Sequence, residues 1–196
     1  MSSASLGPFD LTRVLRAVDK LHHRLLRATR TLDEAGIPYA VAGGNAVANW
    51  VSRVDEAAVR FTADIDVLLR RDDLEAAIPA MEQAGFRYRN AAGVHMFLDG
   101  PDGKFRDAVH VLFADEKVRP EYAAPAPRIE ESEPGQEYSV LSLDALVRML
   151  LTSFKTMDCV HLRDMLDVGL IDAGWLSRLP PQLASRLQQL LDDPEG

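Results

Sequence analysis

Apolar positions recur first at helical and then at strand spacing. Leu11, Val14, Leu15, Val18, Leu21, Leu25 and Leu32 share one side of a helix over residues 10–35, with Arg13, Arg16, Lys20, Arg24, Arg27 and Arg30 opposite. Asp10 is suited to cap this helix and Gly36 to end it. A short apolar strand starts at Ile37-Pro38 and runs into Gly43-Gly44, and a second helix runs from Gly44 to about Val54. Residues 61–69 read as a strand, and Asp72 as the N-cap of a helix that buries Leu74, Ala77, Ile78 and Met81 and stops before Gly85. Strands are predicted over 86–88, 94–98 and 108–113, and the turn residues Gly100-Pro101-Asp102-Gly103 join the last two as a hairpin. Residues 117–136 are rich in Pro, Ala and Glu without periodicity, which predicts a surface excursion. A short strand over 138–141 follows, then a helix capped by Ser142 and running to about Phe154, a helix over 158–170, and a last one opened by Pro180-Pro181.

The pattern predicts an α/β (α+β) fold, a small mixed sheet flanked by helices and followed by a C-terminal helical segment. The expected organisation is an amphipathic helix over 1–36 packed on an α/β core over 37–141, with the helices of 142–196 in the same domain. With 47% hydrophobic and 27% charged residues, the composition is that of an ordinary globular protein. A single cysteine, Cys159, excludes an internal disulfide and a cysteine zinc cluster, and it is expected as a small core residue. A net charge of −8 argues against strong general nucleic-acid binding. The basic stripe of the first helix is then either a solvated face or a local RNA- or partner-facing surface. Residues 1–10 carry no basic leader or apolar run, and no stretch has transmembrane length, so no membrane partner and a cytoplasmic location are expected.

Asp64-Ile65-Asp66 changes the picture. Side chains alternate along a strand, so both carboxylates project to one face. Adjacent like charges repel unless a cation lies between them, and Mg²⁺ takes carboxylate and phosphate oxygens. Gly43-Gly44, at a strand–helix junction, lets backbone approach a phosphate where helix N-terminal N–H groups favour anions. Each feature alone is commonplace: Gly-Gly is a tight turn and Asp-x-Asp a solvated strand end. Together they suggest a nucleoside triphosphate beside a metal. Arg60 and Thr62 could bring a guanidinium and a hydroxyl to the phosphates, and Asn45 could bond the triphosphate or ribose or simply start the helix.

This order of strand, Gly-Gly turn, helix and Asp-x-Asp strand resembles the nucleotidyltransferase superfamily, in particular the small bacterial branch with AbiEii-type toxins, over most of residues 37–172. The resemblance implies a Mg²⁺-dependent transfer of an NMP from an NTP to a hydroxyl on RNA, protein or a small molecule. It implies Asp64 and Asp66 as metal ligands and a third carboxylate on a later strand. The matching segment is Val109-His110-Val111-Leu112-Phe113, so His110 holds that place. Its face-mates Ala108 and Leu112 offer no substitute. A neutral imidazole could accept the acceptor's proton or complete a one-metal site. Equally, it could be a hydrogen-bonded partner of the aspartates in a degenerate fold that binds nucleotide or a partner without turnover. A toxin of a toxin–antitoxin pair is a further reading by family analogy. The resemblance also assigns Lys155 to the triphosphate and Asp164 to orienting that lysine or a substrate hydroxyl. Asp158, His161 and Asp164 share part of a helical face, either as a metal site or as a helix salt-bridged through Arg163. His95 either faces the same cleft or is structural.

Overall fold

The computed structural model describes residues 10–193, so the expectation about the N-terminal leader lies outside the described residues. Helix α1 (Leu11–Glu34) leads into strand β1 (Tyr39–Ala42), which turns at Gly43 into α2 (Gly43–Ser52). Then come β2 (Ile65–Leu69), α3 (Leu74–Gln83), β3 (Phe86–Ala91), β4 (Val94–Asp99) and β5 (Val109–Phe113). Two short strands, β6 (Ser132–Pro134) and β7 (Ser139–Leu141), precede helices α4 (Leu143–Ser153), α5 (Thr156–Asp167) and α6 (Pro181–Asp192). The seven strands form one mixed sheet in the order β3-β4-β5-β2-β1-β7-β6. β2 runs parallel to β5 and β1 to β7, while the other neighbours are antiparallel.

The period of two divides the core between the two faces of the sheet. Tyr39, Val41, Ile65, Val67, Val109 and Val111 pack with Leu25, Ala28 and Leu32 of α1 and with Leu74, Ala77 and Met81 of α3. Ala40, Ala42, Leu68 and Val140 point the other way, into a cluster built from α2, α4, α5 and α6. Asp66, His110 and Leu112 share the parity of this second face. Half-buried Cys159 packs against the same cluster, as expected of a small core residue.

Several boundaries differ from the sequence pattern. Residues 61–64 are not strand, and β2 begins only at Ile65. Asp72 lies in a 3-10 turn and does not cap α3, which starts at Leu74. β4 and β5 pair antiparallel as expected, but β4 also forms a hairpin with β3. The excursion over 117–136 includes β6, which pairs along β7 at the sheet edge. On α1, Leu11 and Leu15 are exposed, whereas Arg24 is turned to the protein and pairs with Asp99. The sides taken by Arg13 and Val14 lie outside the described side chains. No helix among the described residues is long and apolar enough to cross a membrane.

Candidate functional site

At the end of β1 the chain reverses through Gly43, whose φ of +59° lies in the left-handed region. A Cβ there would overlap Asp66 Oδ2, so only glycine lets the turn close over that carboxylate. Gly44 is crowded as well: a Cβ would lie 2.8 Å from Thr62 Cβ and 3.0 Å from His161 Nε2. The N-cap residue Ala42 has no side chain to cap α2, so the helix begins without a side-chain acceptor for its first N–H groups. Asn45 Nδ2 donates to the Asp64 carbonyl at 2.7 Å, which ties the start of α2 to the entry of β2. That bond holds Asn45 behind the turn, and it is not among the residues lining the cleft.

The cleft in front of this turn has a volume of about 550 Å³ and is walled by Gly43, Gly44, Thr62, Asp64, Asp66, His110 and Lys155. Asp64 is exposed and Asp66 half-buried. Loss of water around Asp66 pushes its pKa up to about 6, helped by Asp64 and Asp158 and opposed by His110 and Lys155. His110 sits beside Asp66 in the parallel β2–β5 ladder, with its ring edge-on to Phe105 at 5.1 Å between centroids. Among the described residues no group of three or more His, Cys, Asp or Glu side chains is arranged to hold a metal. The carboxylates on the cleft wall are Asp64, Asp66 and Asp158, the last of which is engaged in capping α5.

Lys155 reaches the cleft because α4 and α5 meet at a sharp joint. Ser142 Oγ accepts from Ala145 N at the start of α4, as expected. Phe154 ends the helix in the left-handed region, at φ +48°. Arg186 of α6 donates to Leu151 O at 2.6 Å and Thr152 O at 2.7 Å, satisfying carbonyls of the last turn of α4. Asp158 reaches back to accept from Lys155 N at 2.9 Å and from Ser153 Oγ, fixing the first turn of α5.

The structure separates other candidates. Arg60 donates to Asp164 through Nε at 3.0 Å and Nη2 at 2.9 Å, a bidentate pair, so these residues engage each other and neither lines the cleft. The expected partnership of Asp164 with Lys155 is thus replaced by one with Arg60. Asp158 and His161 both line the cleft while Asp164 does not: Asp158 caps α5, Asp164 holds Arg60, and buried His161 faces Gly44 with Nδ1 unpartnered. Burial lowers the His161 pKa. Nor does Arg163 join them, since it donates to the Asp193 carbonyl. His95 pairs with Val111 in register and so lies on the opposite face of the sheet, bonded to Tyr88 Oη at 2.7 Å. Phe105, Arg106 and Met157 also line the cleft, and sequence reasoning missed them. The one available signal was an aromatic–arginine pair in a polar loop just before β5.

Gly43→Ala tests the turn. Ala at this φ costs roughly 1–2 kcal/mol, and displacement of Asp66 adds to it. The variant is expected to melt several degrees below wild type, and below Gly93→Ala, which has positive φ but open space around it. Equal melting losses would show that the contact with Asp66 is not tight.

A mixed sheet with a Gly-Gly strand–helix turn, an Asp-x-Asp strand beside it and helices after it is a nucleotidyltransferase-like fold. The chain belongs to the uncharacterised nucleotidyltransferase family, which it matches over residues 11–173. Similar solved structures include the antibiotic-resistance factor ANT(2″)-Ia in solution, at 14% identity over 94% of each chain with a TM-score of 0.53. The crystal structure of ANT(2″)-Ia in complex with adenylyl-2″-tobramycin matches at 14% identity, over 88% of this chain and 97% of that one, with a TM-score of 0.54. An antigenic nucleotidyltransferase-like protein from Paracoccidioides brasiliensis matches at 17% identity over 90% of each chain, with a TM-score of 0.55. At these identities the likeness is one of fold. No curated protein matches the sequence.

Proposed function

We propose that this chain is a Mg²⁺-dependent nucleotidyltransferase that moves an NMP from an NTP to a hydroxyl and releases pyrophosphate. The observation that carries this reading is the convergence of Gly43-Gly44, Asp64, Asp66 and Lys155 on one cleft. The start of α2 and the Lys155 ammonium would bind the triphosphate. Asp64 and Asp66 would hold Mg²⁺, which when bound supplies neutralisation of charge at the phosphates. The donors fit that ion: carboxylate oxygens are its preferred ligands, and a cation would relieve the desolvated Asp66 carboxyl. His110 would accept the proton of the attacking hydroxyl at a ring nitrogen as the new bond to the α-phosphate forms and the bond to pyrophosphate breaks. Thr62 also lines a wider cleft of about 740 Å³ beside α1, the natural approach for an acceptor.

The adenylyl-2″-tobramycin held by ANT(2″)-Ia supports a nucleotide donor. For this chain the acceptor is an RNA, a protein or a small molecule, and an AbiEii-like cytoplasmic role belongs to the same reading. His110 in the third carboxylate's place favours a second one, a module that binds nucleotide without turnover. Incubation with each NTP labelled at the α-phosphate tests both. Label transfer with Mg²⁺ and none in EDTA is expected. Undiminished transfer in EDTA would exclude the metal dependence, and binding without label transfer or pyrophosphate release would favour the second reading.

A further inference from the structure

The second glycine of the turn needs a reason of its own. Gly43 is held to glycine by its left-handed φ, whereas Gly44 has no positive φ. What confines Gly44 is space, since a Cβ there would stand 2.8 Å from Thr62 Cβ and 3.0 Å from His161 Nε2. Its absence lets the imidazole of α5 approach the first turn of α2, whose N–H groups have no side-chain cap. His161 is only 7% exposed, and its imidazole forms no hydrogen bond among the described residues. The ring nevertheless lines the cleft together with Gly44, Thr62 and Lys155. Nδ1 is shielded from solvent, so the ring meets the cleft by its Nε2 side, next to Gly44.

We propose that His161 is a phosphate ligand, donating from Nε2–H to a phosphate oxygen seated at the start of α2. The inference rests on the reading of the cleft as a triphosphate site. It adds a donor there to the N–H groups of α2 and the Lys155 ammonium. Burial lowers the His161 pKa despite Asp158 and Asp164 nearby, which keeps the ring neutral with a single N–H. A proton on Nδ1 would bury a donor that no acceptor meets, an arrangement folded proteins avoid. A proton on Nε2 instead stands beside Gly44, where an anionic oxygen would accept it. Gly44 is then the gap through which the α5 imidazole and the α2 N–H groups reach one anion.

Two variants of like chemistry and different reach test this. His161→Gln carries an amide N–H near the place of Nε2, and His161→Asn carries the same amide but ends near the place of Nδ1. Each is titrated with inorganic tripolyphosphate and Mg²⁺ after a melting curve confirms folding. His161→Asn is expected to bind about tenfold more weakly than wild type, and His161→Gln to regain most of that loss. Equal affinity in all three proteins, or a loss in His161→Gln as large as in His161→Asn, would overturn the role of His161. Either result would leave the phosphate cleft standing. Nitrogen-15 NMR of the wild-type ring reads the tautomer whether or not the variants fold. An Nε2–H tautomer whose Nε2 signal moves on adding tripolyphosphate is expected. An Nδ1–H tautomer, or an Nε2 signal left unmoved by bound tripolyphosphate, would overturn the proposal. Wild type that does not bind tripolyphosphate would overturn the phosphate reading of the cleft and this inference with it.

Discussion

Asp66→Asn is expected to abolish NMP transfer while making the metal-free protein more stable at pH 8. The two effects share one cause. Wild-type Asp66 loses hydration under the Gly43 turn and sits near Asp64 and Asp158, so its carboxyl is held up at about 6. A carboxyl whose folded pKa lies above its unfolded value favours the fold only while protonated. That contribution is full below about pH 4 and is lost as pH rises through 6. At pH 8 the metal-free wild type carries a penalty of about 2–3 kcal/mol, and the neutral amide does not. Melting curves in EDTA should therefore show Asp66→Asn above wild type at pH 8, with the gap closing near pH 4. Mg²⁺ should raise the wild-type melting temperature at pH 8 and leave the variant unmoved, since binding only to the folded state stabilises it by mass action. Transfer should fall by about 10³-fold or more, which is ~4 kcal/mol of barrier. A variant as active as wild type would remove Asp66 from the proposed metal site. A variant less stable than wild type at pH 8 in EDTA would show that its carboxylate is a structural partner instead.

His110 decides between turnover and binding alone. It stands in register with Asp66 on the parallel neighbour strand, which is the place of the expected third carboxylate. If it accepts the acceptor's proton, His110→Ala should lower transfer by roughly 10²- to 10⁴-fold, the usual range for general-base removal, with NTP affinity little changed. His110→Asp restores the carboxylate beside Asp66 and should destabilise the metal-free protein through like-charge repulsion. The expected result is an active wild type and an inactive His110→Ala. Transfer that appears only in His110→Asp would instead establish the chain as a degenerate binding module, and equal transfer by wild type and His110→Ala would remove His110 from the chemistry. Titration with NTP in parallel separates lost binding from lost chemistry.

Much of the site was legible because it is local. The parity of His110 follows from strand alternation, and pairing with β2 turns it into adjacency to Asp66. Asp64 lies one residue before β2, outside the strand that was expected to carry it, yet both carboxylates wall the cleft. The need for glycine at position 43 was also legible, although the sequence suggested a phosphate as the reason. The structure adds another, the Asp66 carboxylate beneath the turn. The sequence pattern was wrong about the strand over 61–64, where apolar Phe61 is 67% exposed and the chain has no ladder partner.

The order of helices and strands and the Gly-Gly turn were thus determined by the sequence alone, since helix and strand periods and turn dihedrals are set by neighbouring residues. The resemblance to nucleotidyltransferases rested on that order. Tertiary structure decided which charges meet. Arg60 and Asp164, 104 residues apart, became each other's partner. His95 went to the far face because register across strands, not spacing along one, sets its side. Lys155 came to the cleft through a left-handed joint held by Arg186 from another helix. Such pairings depend on how distant segments close on one another, and a local pattern carries no record of that closure.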